Sequence, residues 1–273
     1  MSRVHLKLKQ APALRVDLRG VTPAALAGLA PAQIERLTLT HGMQTLALAE
    51  FFSVTCDATP APDGELVFDG DLSRFDRIGW QLAGGRIVVA GPAGDYAGAC
   101  MSGGEVRVQG HAGLLAACEM AGGLLTIAGD VGDHAASGLP GSMDGMRGGT
   151  LIVRGRAGDR FADRMRRGSA LVFGDVGDFL ASRLVAGTIA IGGRAGAHVG
   201  YGMRRGSIVF ASGAPAIAPT FVPAVAEAEV AWQLIARDLA RHGGPFEGLP
   251  KRRIARRLGD LAADGRGELI VAV

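Results

Sequence analysis

The chain has 273 residues, of which 48% are hydrophobic but only 5% aromatic, and 43 are glycine. Glycine at this level without a strict three-residue period excludes collagen, and a recurrent Val/Ile/Leu pattern argues against disorder. The net charge of +3 is too small to indicate nucleic-acid binding. The three cysteines form no C-x-x-C pair, so neither a disulfide framework nor a metal site is predicted. Because the chain starts without an apolar signal segment and contains no run of about 18 apolar residues, we expect a cytoplasmic protein that does not span a membrane.

Residues 1–64 are predicted to form a small N-terminal cap. Alternating apolar residues predict short strands over Val4–Lys9 and Leu14–Leu18, and Pro31–Arg36 is typical of a small helix. Residues 37–54 have the pattern of a hairpin that turns at His41-Gly42. Because the open end of a repeat array would expose a sheet edge and the core, we expect this segment to cover that end.

Residues 65–213 repeat about every 19 residues, on the pattern apolar-x-apolar-x-Gly-x-Ala-Gly-Asp. A period this short predicts a solenoid, in which each repeat buries its apolar face only against its neighbours. The apolar-x-apolar stretch predicts a short strand, and the glycines predict a sharp turn. A second short strand is expected around Ala97, Ala116, Ala162 and Ala181. The repeats are 65–85, 86–104, 105–123, 124–149, 150–168, 169–187, 188–206 and the incomplete 207–213.

Strands of this length and spacing stack in parallel on the equivalent strands one coil away, roughly 4.8 Å apart. Parallel crossovers are overwhelmingly right-handed. The predicted fold is therefore all-β, a right-handed parallel β-helix of about seven to eight coils with a small N-terminal cap and a helical C-terminal cap. Repeat 124–149 has 7 extra residues, and its Gly/Pro-rich insertion within 134–145 is expected to protrude as a contact loop.

Residues 214–273 are predicted to form the C-terminal cap. A Pro/Ala-rich linker leads to an amphipathic helix over Val225–Arg241, with Trp232, Ile235 and Leu239 on one side. A second helix is predicted within residues 249–262. The final GELIVAV, at 267–273, is typical of a strand.

No group of residues predicts catalysis or metal binding by this chain. His134 and His198 align in the repeats but lie three coils apart, about 14 Å, which is too far to share a zinc ion. Ser142 stands alone, with no histidine and carboxylate placed to activate it. Four aspartates recur in the Gly-Asp turns, where accepting N–H bonds within their own turn explains them more simply than calcium binding. These aspartates are Asp95, Asp133, Asp159 and Asp178.

Arginines recur where successive coils end. Like charges stacked about 5 Å apart on adjacent strands repel each other, so something must offset them. Interleaved carboxylates, notably Asp144 and Asp163, or solvent would do so. An acidic surface of a partner protein would do so as well. One column contains Arg147, Arg166 and Arg204, a second contains Arg167 and Arg205, and a third contains Arg164 and Arg183.

Specific strings give the chain a family resemblance. Residues 138–168, GLPGSMDGMRGGTLIVRGRAGDRFADRMRRG, and residues 174–206 carry it most clearly, supported by 37–54 and 256–271. Over nearly its whole length the chain resembles the C subunit of formylmethanofuran dehydrogenase and its bacterial relative in the formyltransferase/hydrolase complex. The repeats are also similar to the Gly-x-Gly-x-Gly domain of the glutamate synthase large subunit, which supports the fold alone.

The resemblance implies a non-catalytic structural subunit of an enzyme complex in one-carbon metabolism. In the bacterial complex a formyl group passes from formyl-tetrahydromethanopterin to a methanofuran-type carrier and is hydrolysed to formate. The implied partners are a formyltransferase subunit, an amidohydrolase-like hydrolase subunit and a molybdopterin-enzyme-like subunit. Because such carriers have a γ-glutamyl chain, the seven arginines become candidates for binding that chain. The Ala- and Arg-rich composition favours the bacterial complex.

Three alternatives stay open. An archaeal-type dehydrogenase would reduce carbon dioxide with a molybdenum or tungsten pterin subunit and iron–sulfur partners. A stand-alone β-helix enzyme would use the arginines as a cleft for an acidic polysaccharide, although the chain has only 2 Trp and 2 Tyr to stack on sugars. A glutamate-synthase-like structural domain separated from its enzyme is disfavoured by the family-like segments at both ends of the chain.

Overall fold

The computed structural model describes residues 3–57, 64–224 and 229–273, and most of their regular structure is strand. Thirteen strands form one large sheet and four form a small one. Most neighbours in the large sheet are parallel, because each repeat adds one strand beside the strand of the repeat before it. None of the helices formed by these described residues combines the length and apolarity needed to cross a membrane.

The N-terminal segment supplies an edge of the large sheet and most of the small one. Its elements are β1 (Arg3–Leu8), β2 (Val16–Asp17), α1 (Pro23–Leu26), α2 (Pro31–Glu35), β3 (Thr38–His41), β4 (Gln44–Ala47), α3 (Leu48–Phe51) and β5 (Phe52–Asp57). Strands β3 and β4 form the predicted hairpin. Helix α2, at the predicted position, begins with Pro31, whose fixed φ suits the first helical residue. Strand β1 pairs antiparallel with β5 and parallel with the first strand of the repeats, so it joins this segment to the array.

The repeats contribute one strand each to the large sheet, all in one register. These strands are β6 (Glu65–Asp69), β8 (Arg86–Val89), β9 (Ser102–Val108), β10 (Ala121–Ile127), β11 (Gly148–Val153), β12 (Ser169–Val172), β13 (Thr188–Ile191) and β14 (Ser207–Phe210), while the short β7 (Phe75–Asp76) joins the small sheet. One apolar residue of each strand lies beside its equivalent in the next strand and is fully buried, as in Ile87, Val106 and Leu125. This shared interior column is what holds the repeats together.

The second strand expected in each repeat is wrong, because Ala97, Ala116, Ala162 and Ala181 lie in turns. In repeat 150–168 the φ angles at Arg160, Ala162 and Arg164 are 56°, 59° and 58°. Left-handed backbone at alternate positions cannot continue a strand. Parallel pairing on this side is instead limited to single-residue bridges that join Leu72, Ala93, Ala112, Val131, Ala157, Val176 and Ala195 in succession.

The C-terminal segment extends the sheet and covers its outer face. Its elements are β15 (Val222–Pro223), α4 (Glu229–Ala240), β16 (Ile254–Gly259) and β17 (Gly267–Ala272), with 3-10 turns at Gly244–Phe246, Leu249–Lys251 and Leu261–Ala263. Helix α4 lies within the predicted helix, whose residues 225–228 are outside the described residues. Trp232 and Leu239 are buried in one cluster with Leu171, Ala190 and Val209 of β12 to β14, so α4 packs on that face of the sheet.

The second C-terminal helix is a wrong prediction, because β16 occupies much of residues 249–262. Strand β17, the predicted tail strand, adds in parallel beside β14. Its other edge would present unpaired backbone groups, and β16 satisfies them by antiparallel pairing. Arg256 strengthens this pairing with an ion pair of 2.7 Å to Glu268. The C-terminal cap therefore combines one helix with a sheet extension.

Candidate functional site

The backbone of each turn is hydrogen-bonded to both neighbouring coils. In repeat 150–168 the N–H groups of Arg160 and Arg164 donate to the carbonyls of Asp178 and Ser182 in the next repeat, each at 2.8 Å. The N–H of Ala162 donates in the opposite direction, to Ala135 of the previous repeat, also at 2.8 Å. Ala162 is fully buried, whereas the two arginines remain partly exposed. The turn thus fixes where its arginines emerge.

The exposed arginine columns follow the order of the coils. The N–H groups of Arg147 and Arg166 donate to the carbonyls of Met120 and Met146 at 2.7 Å, and Arg204 donates to Leu184 at 2.8 Å. Val185 has the equivalent bond to Met165, at 2.8 Å, so it separates Arg204 from the other two. The residues whose carbonyls accept these bonds are buried, so the backbone of each arginine is hydrogen-bonded to a core residue of the preceding coil. Arg147, Arg166, Arg167, Arg204 and Arg205 are all exposed.

Four of the seven arginines have acidic partners within the chain. Arg183 binds Asp163 through two hydrogen bonds, from Nε at 3.1 Å and from Nη2 at 2.6 Å, and the same carboxylate lies 3.9 Å from Arg164 Nε. Arg166 pairs with Asp144 at 2.6 Å, and Arg147 pairs with Glu119 at 2.9 Å. Interleaved carboxylates therefore offset part of the repulsion. Arg167, Arg204 and Arg205 form no ion pair with any residue in the described ranges.

The extra residues of repeat 124–149 fold back onto the turns. Glu119 Oε1 accepts the N–H of Leu139 at 3.3 Å, and Arg164 Nη1 donates to the carbonyl of Ser142 at 2.6 Å. The Asp144–Arg166 pair fixes the far end. Met143 is 69% exposed, so part of the insertion does protrude as expected, whereas Met146 is fully buried in the core.

A cavity of about 420 Å³ lies beneath this insertion. We call it the insertion pocket. Arg183 is held there by Asp163, and Arg160 lies 4.7 Å from the ring centroid of Phe179, which in turn stacks on His198 at 4.6 Å. Arg164 Nε is buried and makes no hydrogen bond within the described part of the chain. Three arginines against one aspartate make the pocket suited to an anion. The lining residues are Leu115, His134, Ser137, Gly138, Leu139, Pro140, Gly141, Ser142, Arg160, Asp163, Arg164 and Arg183.

Sequence reasoning identified Arg164 and Arg183 but missed Arg160 and Glu119. Arg160 aligns with His134, Phe179 and His198, so a column of large side chains was visible in the repeats. Its stacking on Phe179 could have been anticipated, because arginine commonly lies over aromatic faces. Glu119 aligns with Arg164 and Arg183, which is a signal for charge compensation along one column. The pocket itself could not be found because the path of the insertion is irregular.

The turn aspartates bind the next repeat rather than their own turn. Asp95 accepts the N–H of Leu114 at 2.8 Å, Asp133 accepts that of Asp159 at 2.8 Å, and Asp178 accepts that of Ala197 at 2.7 Å. The expectation of a bond within the turn is therefore wrong, because the coil spacing places the next N–H within reach. Each carboxylate therefore links its coil to the next one through a hydrogen bond, and we call these aspartates rungs. Among the described residues no group of three or more His, Cys, Asp or Glu could hold a metal ion.

The array does not present an activated thiol. Burial raises the pKa of the Cys118 thiol to about 12, and its Sγ lies 3.5 Å from Ser137 Oγ. Burial also raises the pKa of Cys100, to which the nearby Glu119 carboxylate contributes. A raised pKa disfavours the nucleophilic thiolate. Both cysteines therefore fit packing positions.

Comparisons with known proteins place these features in a family. The chain is similar to one chain of the crystal structure of the formyltransferase/hydrolase complex (FhcABCD) from Methylorubrum extorquens in complex with methylofuran. The two are 38% identical, the similarity covers 98% of this chain and 99% of that one, and the TM-score is 0.88. No family model matches the chain.

Curated relatives match over a shorter stretch. The C subunit of the tungsten-containing formylmethanofuran dehydrogenase 2 of Methanothermobacter wolfeii is 34% identical over 100 residues. The C subunit of the formyltransferase/hydrolase complex Fhc of Methylorubrum extorquens is 40% identical over 80 residues. The first match spans 36% of this chain and 37% of that relative, and the second spans 29% of each. The aligned stretch is thus about a third of either protein.

Proposed function

Because the chain belongs to the family of C subunits shared by formyltransferase/hydrolase complexes and formylmethanofuran dehydrogenases, we propose that it is the non-catalytic structural subunit of a formyltransferase/hydrolase complex. One observation carries the proposal: its similarity to a chain of that complex extends over 98% of its length at 38% identity.

The proposed partners are a formyltransferase subunit, an amidohydrolase-like hydrolase subunit and a molybdopterin-enzyme-like subunit. Together they would convert formyl-tetrahydromethanopterin to formate through a methanofuran-type carrier, in the cytoplasm. The similar complex from Methylorubrum extorquens, with its four subunits and bound methylofuran, supports this assignment. The chemistry would lie on the partner chains, and this chain would fix the distance between them.

A right-handed parallel β-helix is the architecture we propose for residues 65–213, between caps formed by 1–64 and 214–273. The aligned pairing of β6 and of β8 to β14, with one bulge in β10, and the succession of single-residue bridges on the other side support it. Such a coil is rigid because every turn is hydrogen-bonded to its neighbours in both directions. Rigidity is the property that a scaffold between two active sites needs.

The arginine columns are proposed to hold the carrier's γ-glutamyl chain. Arg167, Arg204 and Arg205 support this best, because they are exposed and have no ion pair with a described residue. Carboxylates at regular intervals along such a chain suit the bidentate geometry of guanidinium groups. In the assembled complex, replacing Arg204 and Arg205 together with Gln should weaken carrier retention at low salt, and the difference from the unchanged complex should shrink at high salt, which screens these charges. The matched control, Arg194→Gln with Arg237→Gln, removes the same charge from exposed positions elsewhere and should retain the carrier.

A second candidate is the C subunit of an archaeal-type formylmethanofuran dehydrogenase. The observation in its favour is the match to tungsten- and molybdenum-containing enzymes of this name, at 34% and 36% identity over 100 and 95 residues. The full-length similarity favours the bacterial complex instead.

Purification of the chain at its native level, with mass spectrometry of everything that accompanies it, tests the proposal. Formyltransferase and hydrolase-like proteins together with a glutamylated furan compound would support it. Iron–sulfur proteins with tungsten or molybdenum would move the chain to the second candidate. Recovery of a lone monomer would overturn both.

A further inference from the structure

We propose that the insertion pocket binds a carboxylate group of an anionic ligand, with Arg160, Arg164 and Arg183 as its donors. The pocket exists because the 7 extra residues of repeat 124–149 close over the turns of the next two repeats. No other repeat carries such an insertion, so the site occurs once in the array.

Each of the three guanidinium groups is held in place by a different neighbour. Asp163, whose side chain is only 10% exposed, grips Arg183 through both of its oxygens. The carbonyl of Ser142 holds Arg164, and the ring of Phe179 supports Arg160. Prepositioned donors lose little conformational entropy when a ligand arrives, which raises affinity.

These arginines still have donors to offer. Arg183 uses Nε and Nη2 for Asp163, and its Nη1 has no hydrogen bond to a described residue. Arg164 uses Nη1 for the Ser142 carbonyl, while its buried Nε lacks a hydrogen bond within the described part of the chain. Arg160 forms no ion pair or side-chain hydrogen bond with a described residue, and its guanidinium group lies over the ring of Phe179. A carboxylate beside these side chains would supply the acceptors that Arg160 and Arg183 Nη1 lack.

The chemistry of the lining selects the class of ligand. Planar guanidinium groups match the geometry of a carboxylate. A cavity of about 420 Å³ exceeds the needs of a single small ion and accommodates a dicarboxylate or a glutamyl unit with its neighbours. Leu115, Leu139 and Pro140 supply apolar contacts for the methylene groups of such a ligand.

The carboxylate could belong to a free dicarboxylate or to a γ-glutamyl chain. The second source rests on the function proposed above, whereas binding of a carboxylate by the pocket does not. Arg166 lies at the far end of the insertion, paired with Asp144, so a chain leaving the pocket would meet the exposed arginine columns next.

The test is calorimetric titration of the full-length chain with glutarate, with tetra-γ-glutamate, and with neutral glutaramide. Arg160→Gln removes one donor without breaking an ion pair, and we expect it to weaken binding of both anions about tenfold. The matched control Arg194→Gln removes the same charge at a side chain that is 88% exposed and outside the pocket, and should bind as the unchanged chain does. Deletion of residues 138–144 restores a repeat of 19 residues and should abolish binding, which keeps the proposal testable if Arg160→Gln misfolds.

The outcomes separate this proposal from the proposed function. Anion binding that is lost in both pocket variants and kept in the control supports the pocket. If tetra-γ-glutamate then binds no more tightly than glutarate, the pocket stands as a dicarboxylate site and the γ-glutamyl assignment fails here. Absence of binding, equal binding of glutaramide, or equal weakening by Arg160→Gln and Arg194→Gln overturns the pocket.

Discussion

Repeats 124–149 and 150–168 share a backbone plan but differ in what they present at the surface. Their strands pair residue for residue from Leu124 to Ile127, as do the strands of the regular repeats. After the long repeat's insertion, the N–H of Met146 donates to Ala136 at 3.1 Å, as Met165 donates to Ala162 at 3.2 Å in the regular one. The extra residues are thus confined to one outer corner.

In these two repeats, the groups that hold the coils together are separate from the groups that we propose bind a ligand. Regular repeats are held by interior apolar columns, carboxylate rungs and turn hydrogen bonds, and these demand a fixed length. An insertion outside those features leaves the coil intact and forms one wall of the insertion pocket. The binding groups that we propose therefore lie where the repetition is interrupted.

The largest difference in the loss of stability is expected between substitutions in the interior and substitutions in the insertion. Leu151 is fully buried in the interior column between Leu125 and Ala170. Leu151→Ala should lower the free energy of unfolding by about 3 kcal/mol, because it leaves a cavity in a close-packed core. Met143→Ala, in the insertion, should change it by less than about 0.5 kcal/mol. Urea unfolding measures both, and similar losses would show that the insertion is part of the structural core.

A smaller effect is expected where coils approach most closely. A Cβ added at Gly158 would lie 2.1 Å from Asp133 Oδ1 and 2.8 Å from the Asp133 backbone N. Gly158→Ala should therefore destabilise the chain by about 2 kcal/mol through overpacking of a carboxylate rung. Gly84→Ala, whose Cβ would meet nothing within 4 Å, is the control and should be nearly neutral. Equal melting temperatures for the two variants would contradict the rung packing.

Removing the carboxylate of a rung should destabilise the chain less than Gly158→Ala does. Asp159→Ala leaves the N–H of Asp178 without its acceptor at 2.8 Å, and we expect a loss of about 1 kcal/mol. The control is Asp238→Ala, which removes an exposed aspartate of α4 whose ion pair with Arg241 is long, at 3.8 Å. It should lower the free energy of unfolding by less than about 0.5 kcal/mol. Chemical denaturation compares them. If Asp159→Ala lowers the stability no more than Asp238→Ala does, water replaces the lost hydrogen bond without a measurable penalty.

The smallest expected effect is a pH dependence of the melting temperature that arises from Asp175, a partly exposed rung. The backbone N–H of Arg194 holds the pKa of Asp175 below its ordinary value. A depressed pKa stabilises the folded chain above the ordinary carboxyl range and loses that contribution as the pH falls through the folded-state pKa. The melting temperature of Asp175→Asn should thus be slightly lower than that of the unchanged chain near pH 6, and the two should converge as the pH falls below the ordinary carboxyl range. A constant difference across this range would exclude titration of the rung as its cause.

The sequence predicts the array well because repetition itself encodes it. Each repeat places its apolar residues at the same positions, so Ile87 and Val106 had to lie side by side. Strand β16 was missed because its conformation depends on pairing with β17, which local propensity does not record. The hydrogen bond of the Asp159 carboxylate was missed for the same kind of reason, since the carboxylate accepts a backbone N–H from the following coil. Arg160 needed the path of the insertion to become part of a site.

A crystal structure of the full-length chain with tetra-γ-glutamate tests most directly whether the interrupted repeat is the binding site. We expect a carboxylate within hydrogen-bond distance of Arg160 and of either Arg164 or Arg183, beneath residues 138–145. Carboxylates ordered only along Arg167, Arg204 and Arg205, with nothing bound beneath the insertion, would contradict this assignment.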